Sequence, residues 1–220
     1  MHHPNDTPMN SLIPIISLAA SAALLAGCTS SGYRKADQTA ASLQEAARGI
    51  DDTLPPFDAV LVALNDLVDT PDADIAPQFQ AYSSAVSLLE TQVQAANVHA
   101  DAMQQEGLAY FQKWNQERSK IENGRLRIRS LDRKLEVAAE FEAARASYAQ
   151  FRADFDPFIS DLKDIRTALA TDLTPGGLES VRSLAGKANT NGPPLRDSLV
   201  SLSAEFKSLG ATLSSSAPAS

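Results

Sequence analysis

One cysteine, Cys28, stands in the whole chain, so no disulfide can form within it even in an oxidising compartment. Aromatic residues make up only 6% of the sequence, and no Asn-Gly or Asp-Gly turn separates two runs of alternating β-branched residues. β-Sheet is thereby excluded as the organising structure. Groups that carry chemistry are equally sparse. His99 is the sole histidine beyond the first three residues and has no Cys or His at ligand spacing, so it reads as a helix-surface side chain. The acidic corner of Asp69, Asp72 and Asp74 lacks the glycine and terminal Glu of a calcium loop and reads as turn chemistry. Asp51-Asp52 and Asp154-x-Asp156, placed before Pro55 and Pro157, read as caps around kinks. A glycine-rich phosphate loop, a nucleophile with a plausible base and a set-apart carboxylate pair are all missing. These absences predict no catalytic residue, no metal and no cofactor, and hence no enzyme.

What is present is periodicity. Phe79, Tyr82, Val86, Leu89, Val93, Ala96, Ala100, Met103, Gly107, Tyr110 and Trp114 return at alternating spacings of three and four, which is a heptad seam. It resumes as Phe141, Ala144, Tyr148, Phe151, Phe155, Phe158, Leu162, Ile165 and Leu169. Leu43 to Val68 and Leu178 to Leu213 carry the same spacing. Such seams must bury themselves against other helices, so the chain reads as all-α.

The spacing predicts helices over residues 34–68, 77–122, 125–172 and 178–213, with a tail over 214–220 that should be disordered. Asp69 to Ala76 and Thr174-Pro175-Gly176-Gly177 supply turn chemistry, and Pro77 suits a first helical turn. Asn123-Gly124 decides the topology. Both residues tolerate the left-handed conformation that ends a helix, so a tight turn there gives an antiparallel up-down four-helix coiled-coil bundle. The competing reading is three helices with one very long middle helix. In the hairpin register Pro56, Pro157 and Gly192-Pro193-Pro194 fall at one height, whereas an unbroken middle helix would separate the first from the last. The same register leaves helices two and three projecting as a two-helix tip about 15 Å long. Tyr33 and Trp114 then stand where the four-helix section ends, with Trp114 plugging the core.

Residues Ser11 to Ala26 form an apolar stretch shorter than the roughly 20 residues a membrane-spanning helix needs. It reads as a signal peptide over residues 1–27, although no Lys or Arg precedes it. Leu25-Ala26-Gly27-Cys28 resembles the lipobox of bacterial lipoproteins. That resemblance implies a diacylglycerol on the Cys28 thiol, palmitate-type acylation and a short tether over residues 28–33. Several acyl chains would anchor the protein stably without spanning the bilayer. Thr29, in place of Asp, resembles lipoproteins sent to the outer membrane, which places the protein in the periplasm-facing envelope.

Net charge is -8, yet residues 113–136 hold eight basic against four acidic side chains. The molecule is an acidic rod with a basic end formed by Arg118, Lys120, Arg125, Arg127, Arg129, Arg133 and Lys134. With Cys28 just before the first helix, anchor and basic end share a pole, so membrane or partner contact is expected there. The competing view is that these charges solubilise a thin hairpin through pairs such as Glu122 with Arg118. Nucleic acid is not an expected partner, because the net charge is acidic and no nucleic-acid motif occurs.

Trp114, followed by Asn123-x-x-Leu126-Arg127-x-x-Ser130 and later by Pro157, Leu162-Lys163-Asp164, Leu169, Leu173, Leu178 and Ser180, carries a family resemblance. The stretch resembles uncharacterised bacterial lipoproteins catalogued as domain of unknown function 2959. It departs at Ala170-Thr171-Asp172, where that family usually has Lys-His-Asn. The resemblance implies a helical lipoprotein and adds no mechanism. The expected function is a membrane-anchored spacer, scaffold or partner-binding element. Its partners would be the membrane, through the lipid, and an unidentified envelope protein, with homo-oligomers left open. A membrane-active helical hairpin is the alternative.

Overall fold

The computed structural model describes residues 32–215. The expected signal peptide and Cys28 lie outside the described residues. Among the described residues five α-helices, α1 (Gly32–Asp51), α2 (Leu54–Asp69), α3 (Ala76–Ser119), α4 (Gly124–Thr171) and α5 (Pro175–Leu213), make four rods, because α1 and α2 run end to end. The α1–α2 rod packs on α3 and α5, and α4 packs on the same two, leaving α1–α2 and α4 on one diagonal. The fold is an all-α, up-down four-rod bundle.

The seams bury as the spacing requires. Leu43, Phe57, Leu64, Tyr82, Leu89, Phe141, Leu162 and Phe206 are wholly enclosed, each contributing about 1.5–3 kcal/mol by leaving water. Polar ties hold the register between rods. The Tyr82 hydroxyl donates to the Leu162 carbonyl at 2.7 Å, and Tyr148 donates to Asn97 Oδ1 at 2.6 Å.

The helix breakers meet at one level. Phe57 stacks at ring separations of 5.9 Å on Phe155 and 5.2 Å on Phe158, flanking Pro157. Arg196 grips Asp58 with bonds of 2.7 and 2.9 Å, and Leu61 closes on Gly192 so tightly that a Cβ there would lie 2.6 Å away. The prolines act differently from one another, however. Exposed Pro157, Pro193 and Pro194 sit inside continuous helices, where carbonyls that lose a donor face water. Buried Pro56 has no such outlet, and the first rod breaks at Asp52-Thr53, one turn ahead of it. The expected single helix over 34–68 is therefore two. Thr53 Oγ1 donates to the Gly49 carbonyl at 2.9 Å at the break. The aspartates expected to cap these kinks do other work: Asp51 accepts from Ser203 and Lys207, both at 2.6 Å, and Asp156 pairs with Arg152.

Other boundaries shift for local reasons. α5 starts at Pro175 rather than Leu178, since Thr174 caps it by accepting from Gly177 N at 3.2 Å. Gly32 and Tyr33 belong to α1 rather than to a tether. Ser214 and Ser215 are not a loose tail: Ser215 donates through N and Oγ to the Asp37 carboxylate at 2.8 and 2.9 Å. Residues 216–220 lie outside the described residues.

Candidate functional site

The α3–α4 turn is built by a cap, not by a left-handed residue. Asn123 is extended, at φ -67° and ψ 111°, and its side chain accepts from Leu126 N at 3.0 Å, so Gly124 is the first residue of α4. Holding Asn123 extended stops α3 early, at Ser119 instead of near Glu122, through the tight closing bonds Lys120 N to Glu117 O and Ile121 N to Arg118 O, both 3.1 Å.

This pole is blunter than the expected tip. A Cβ on Gly32 would lie 3.8 Å from Glu117 Cγ, so α1 reaches the last turn of α3. Only α5 stops short, since Ser215 sits beside Asp37, more than a turn inside α1. Past Gly32, among the described residues, only α3 and α4 continue, with residues 122–129 all exposed, so the expected two-helix tip is present but shorter, because α3 ends at Ser119.

Trp114 is half-buried here. Its Nε1–H donates to Ser130 Oγ at 3.0 Å, and its ring lies 5.4 Å from Tyr110, with Phe111 edge-on to Phe141 below. Burial pushes the Tyr110 phenol up to about 12, against the weaker opposing pull of Arg133. The expected plug is real but incomplete. Trp114, Tyr110, Tyr33, Ala36 and Ile121 leave an apolar cleft of about 350 Å³ between the start of α1 and the α3–α4 turn. The sequence held a signal for it, three aromatics at one height, but not its volume.

The seven basic residues do gather at this pole. Lys120 pairs with Glu117 at 3.0 Å, and Arg133 with Glu136 at 3.3 Å. Arg127 donates to the Ile121 carbonyl at 3.3 Å. Arg118, Arg125, Arg129 and Lys134 enter no ion pair among the described residues, so the expected Glu122–Arg118 pair is replaced. Glu117 is the acid that takes cations, and hydrogen bonds from Lys113 and Lys120 hold its carboxyl below the usual range. Arg118 instead turns into the cleft wall, where its Nε is buried without an acceptor.

Exposed apolar residues join these cations. Ile128 and Leu135 are 61% and 56% exposed, and with Leu131 they follow i, i+3, i+7 spacing, one face of α4. That face is not the one carrying buried Val137 and Phe141.

Elsewhere polar groups serve the fold. Gln78 Nε2 donates to the Asp66 and Thr70 carbonyls, and its Oε1 accepts from Asp72 N. Asp74 accepts from Ala76 N at 3.1 Å, and Asp69 lies 3.7 Å from Arg182. His99 is half-buried against Gly49 of α1. Among the described residues no cluster of His, Cys, Asp or Glu could hold a metal ion, and no helix is long and apolar enough to cross a membrane.

No match was found among curated proteins or solved structures. A family model does match, over residues 26–192, taking in Cys28, α1 to α4 and α5 as far as Gly192. This reaches well ahead of Trp114, where the motif resemblance began. The chain belongs to the family described as protein of unknown function (DUF2959).

Proposed function

We propose that the protein is a non-enzymatic, lipid-anchored envelope lipoprotein. Its bundle serves as a spacer or scaffold, and its basic pole rests on an anionic bilayer, with the outer membrane facing the periplasm as the setting. One observation carries this reading: Gly32, four positions after Cys28, lies beside Glu117 at the arginine-rich turn. An anchor on Cys28 and the free cations of α4 would meet the same surface, and a lipid chain plus a polybasic patch is the pairing that gives stable attachment.

Further support comes from the polar inventory, which is committed to caps and inter-rod ties such as Asp58–Arg196 and Asp51–Lys207. Among the described residues these groups are spent on packing and capping rather than gathered at one point. A scaffold role leaves the long acidic flanks of the rod to an envelope protein or a second copy.

The test is metabolic labelling with palmitate. Label should enter the wild-type chain and be lost in Cys28→Ala; an unlabelled mature protein would remove the anchor. The alternative, a bilayer-perturbing hairpin, is favoured only by exposed Ile128 and Leu135. It requires dye leakage from vesicles, which the first reading predicts to be absent.

A further inference from the structure

The cleft beside Trp114 is open and mostly apolar. At about 350 Å³ it is more than twice the roughly 150 Å³ that holds benzene in an engineered apolar cavity. Its walls are the side chains of Tyr33, Ala36, Tyr110, Trp114 and Ile121, and its polar members are few. Arg118 is among them, its Nε enclosed by the protein and out of reach of an occupant.

We infer that this cleft docks one acyl chain of the lipid on Cys28 of the same polypeptide. The inference rests on the lipid-anchor reading above and adds where part of the lipid goes. Connectivity singles out this occupant. Gly32 itself lines the cleft, and the four steps back to Cys28 span at most about 14 Å. So short a link keeps the acyl chain at high effective concentration beside its site, ahead of any free fatty acid or bilayer lipid. The chemistry also fits: apolar walls for methylenes and an open mouth toward the basic turn. The remaining acyl chains stay available to the bilayer. Docking one of them fixes the lipid at this pole and holds the α4 cations against the bilayer surface.

The test uses mature lipidated protein in nanodiscs of phosphatidylcholine and phosphatidylglycerol. Ile121→p-benzoylphenylalanine puts a photo-crosslinker on the α3–α4 side of the cleft. The expected product, read by mass spectrometry, joins the peptide holding position 121 to the acylated N-terminal peptide of the same chain. Adducts with bilayer phospholipid alone would overturn the inference. The wild-type chain gives a second readout that needs no substitution, because Trp114 is its only tryptophan. Acrylamide quenching of Trp114 should be several-fold weaker in the lipidated protein than in a chain starting at Thr29 in the same nanodiscs; equal quenching would overturn it. An N-terminal peptide with no acyl mass would sink the anchor itself, an outcome distinct from an acylated protein whose cleft stays empty.

Discussion

Trp114 Nε1–H donates to Ser130 Oγ at 3.0 Å, a bond that ties the last turns of α3 to the first turns of α4. Both residues belong to the motif Trp114…Asn123-x-x-Leu126-Arg127-x-x-Ser130, and the other conspicuous member, Asn123, caps α4 at the turn between them. Those spaced residues are thus the hardware of one hairpin. Ser130→Ala should cost about 1 kcal/mol by stranding a half-buried indole N–H, read as a lower urea midpoint with unchanged slope. Trp114→Phe should cost a similar amount and Trp114→Ala clearly more.

Two glycines should respond in opposite directions to alanine. A Cβ on Gly107 would lie 2.0 Å from the buried ring of Phe141, so Gly107→Ala must displace a core aromatic. Overpacking of about 1–3 kcal/mol outweighs the helix-propensity gain of about 1 kcal/mol. Gly124 has open space around its Cβ position and no left-handed backbone. Gly124→Ala should therefore be neutral or stabilising by about 0.5 kcal/mol. A large loss on thermal melting would mean that the turn needs a left-handed residue after all.

Acid sensitivity should trace partly to Asp51 and Glu90. Burial raises the Asp51 carboxyl, but hydrogen bonds from Lys207 and Ser203 outweigh it and leave the folded value below the ordinary 3.8. Glu90, similarly opposed by burial, is held below 4.5 by Lys163 and Arg166. A depressed carboxyl contributes stability that is complete above its unfolded value and fades as pH falls through the folded one. Melting temperature should therefore drop below about pH 4. Asp51→Asn, with Glu90→Gln, should flatten that drop; an unchanged acid limb would count against these pairings.

Much of this was readable from spacing alone. The seams from Tyr82 to Tyr110 and from Phe141 to Leu169 face the core where the heptad places them, all buried but half-buried Val93 and Phe151, because helix stability in such rods comes mainly from packing an apolar face. The shared height of Pro56, Pro157 and Gly192 was legible for the same reason, since it follows from counting turns. What spacing could not give was set by exposure in the finished bundle. Pro157 stays within α4 because its face meets water, whereas the first rod breaks at Asp52-Thr53 ahead of buried Pro56. The turn at Asn123-Gly124 was foreseen with the wrong chemistry: a side-chain cap does the work assigned to left-handed residues. The shared level of Tyr33 and Trp114 was legible in the register, but the volume left between them and the turn of Arg118 into the cleft wall depend on side-chain packing that periodicity does not encode.

The account turns on the pole where α1 begins and α4 starts, and vesicle co-sedimentation of the unlipidated chain tests it most directly. Without its lipid the chain should pellet with vesicles containing phosphatidylglycerol and not with phosphatidylcholine alone. Salt should release it, and Ile128→Ser with Leu135→Ser should weaken binding about tenfold. Equal pelleting with neutral and anionic vesicles, or binding untouched by the double substitution, would contradict a membrane-facing role for this pole.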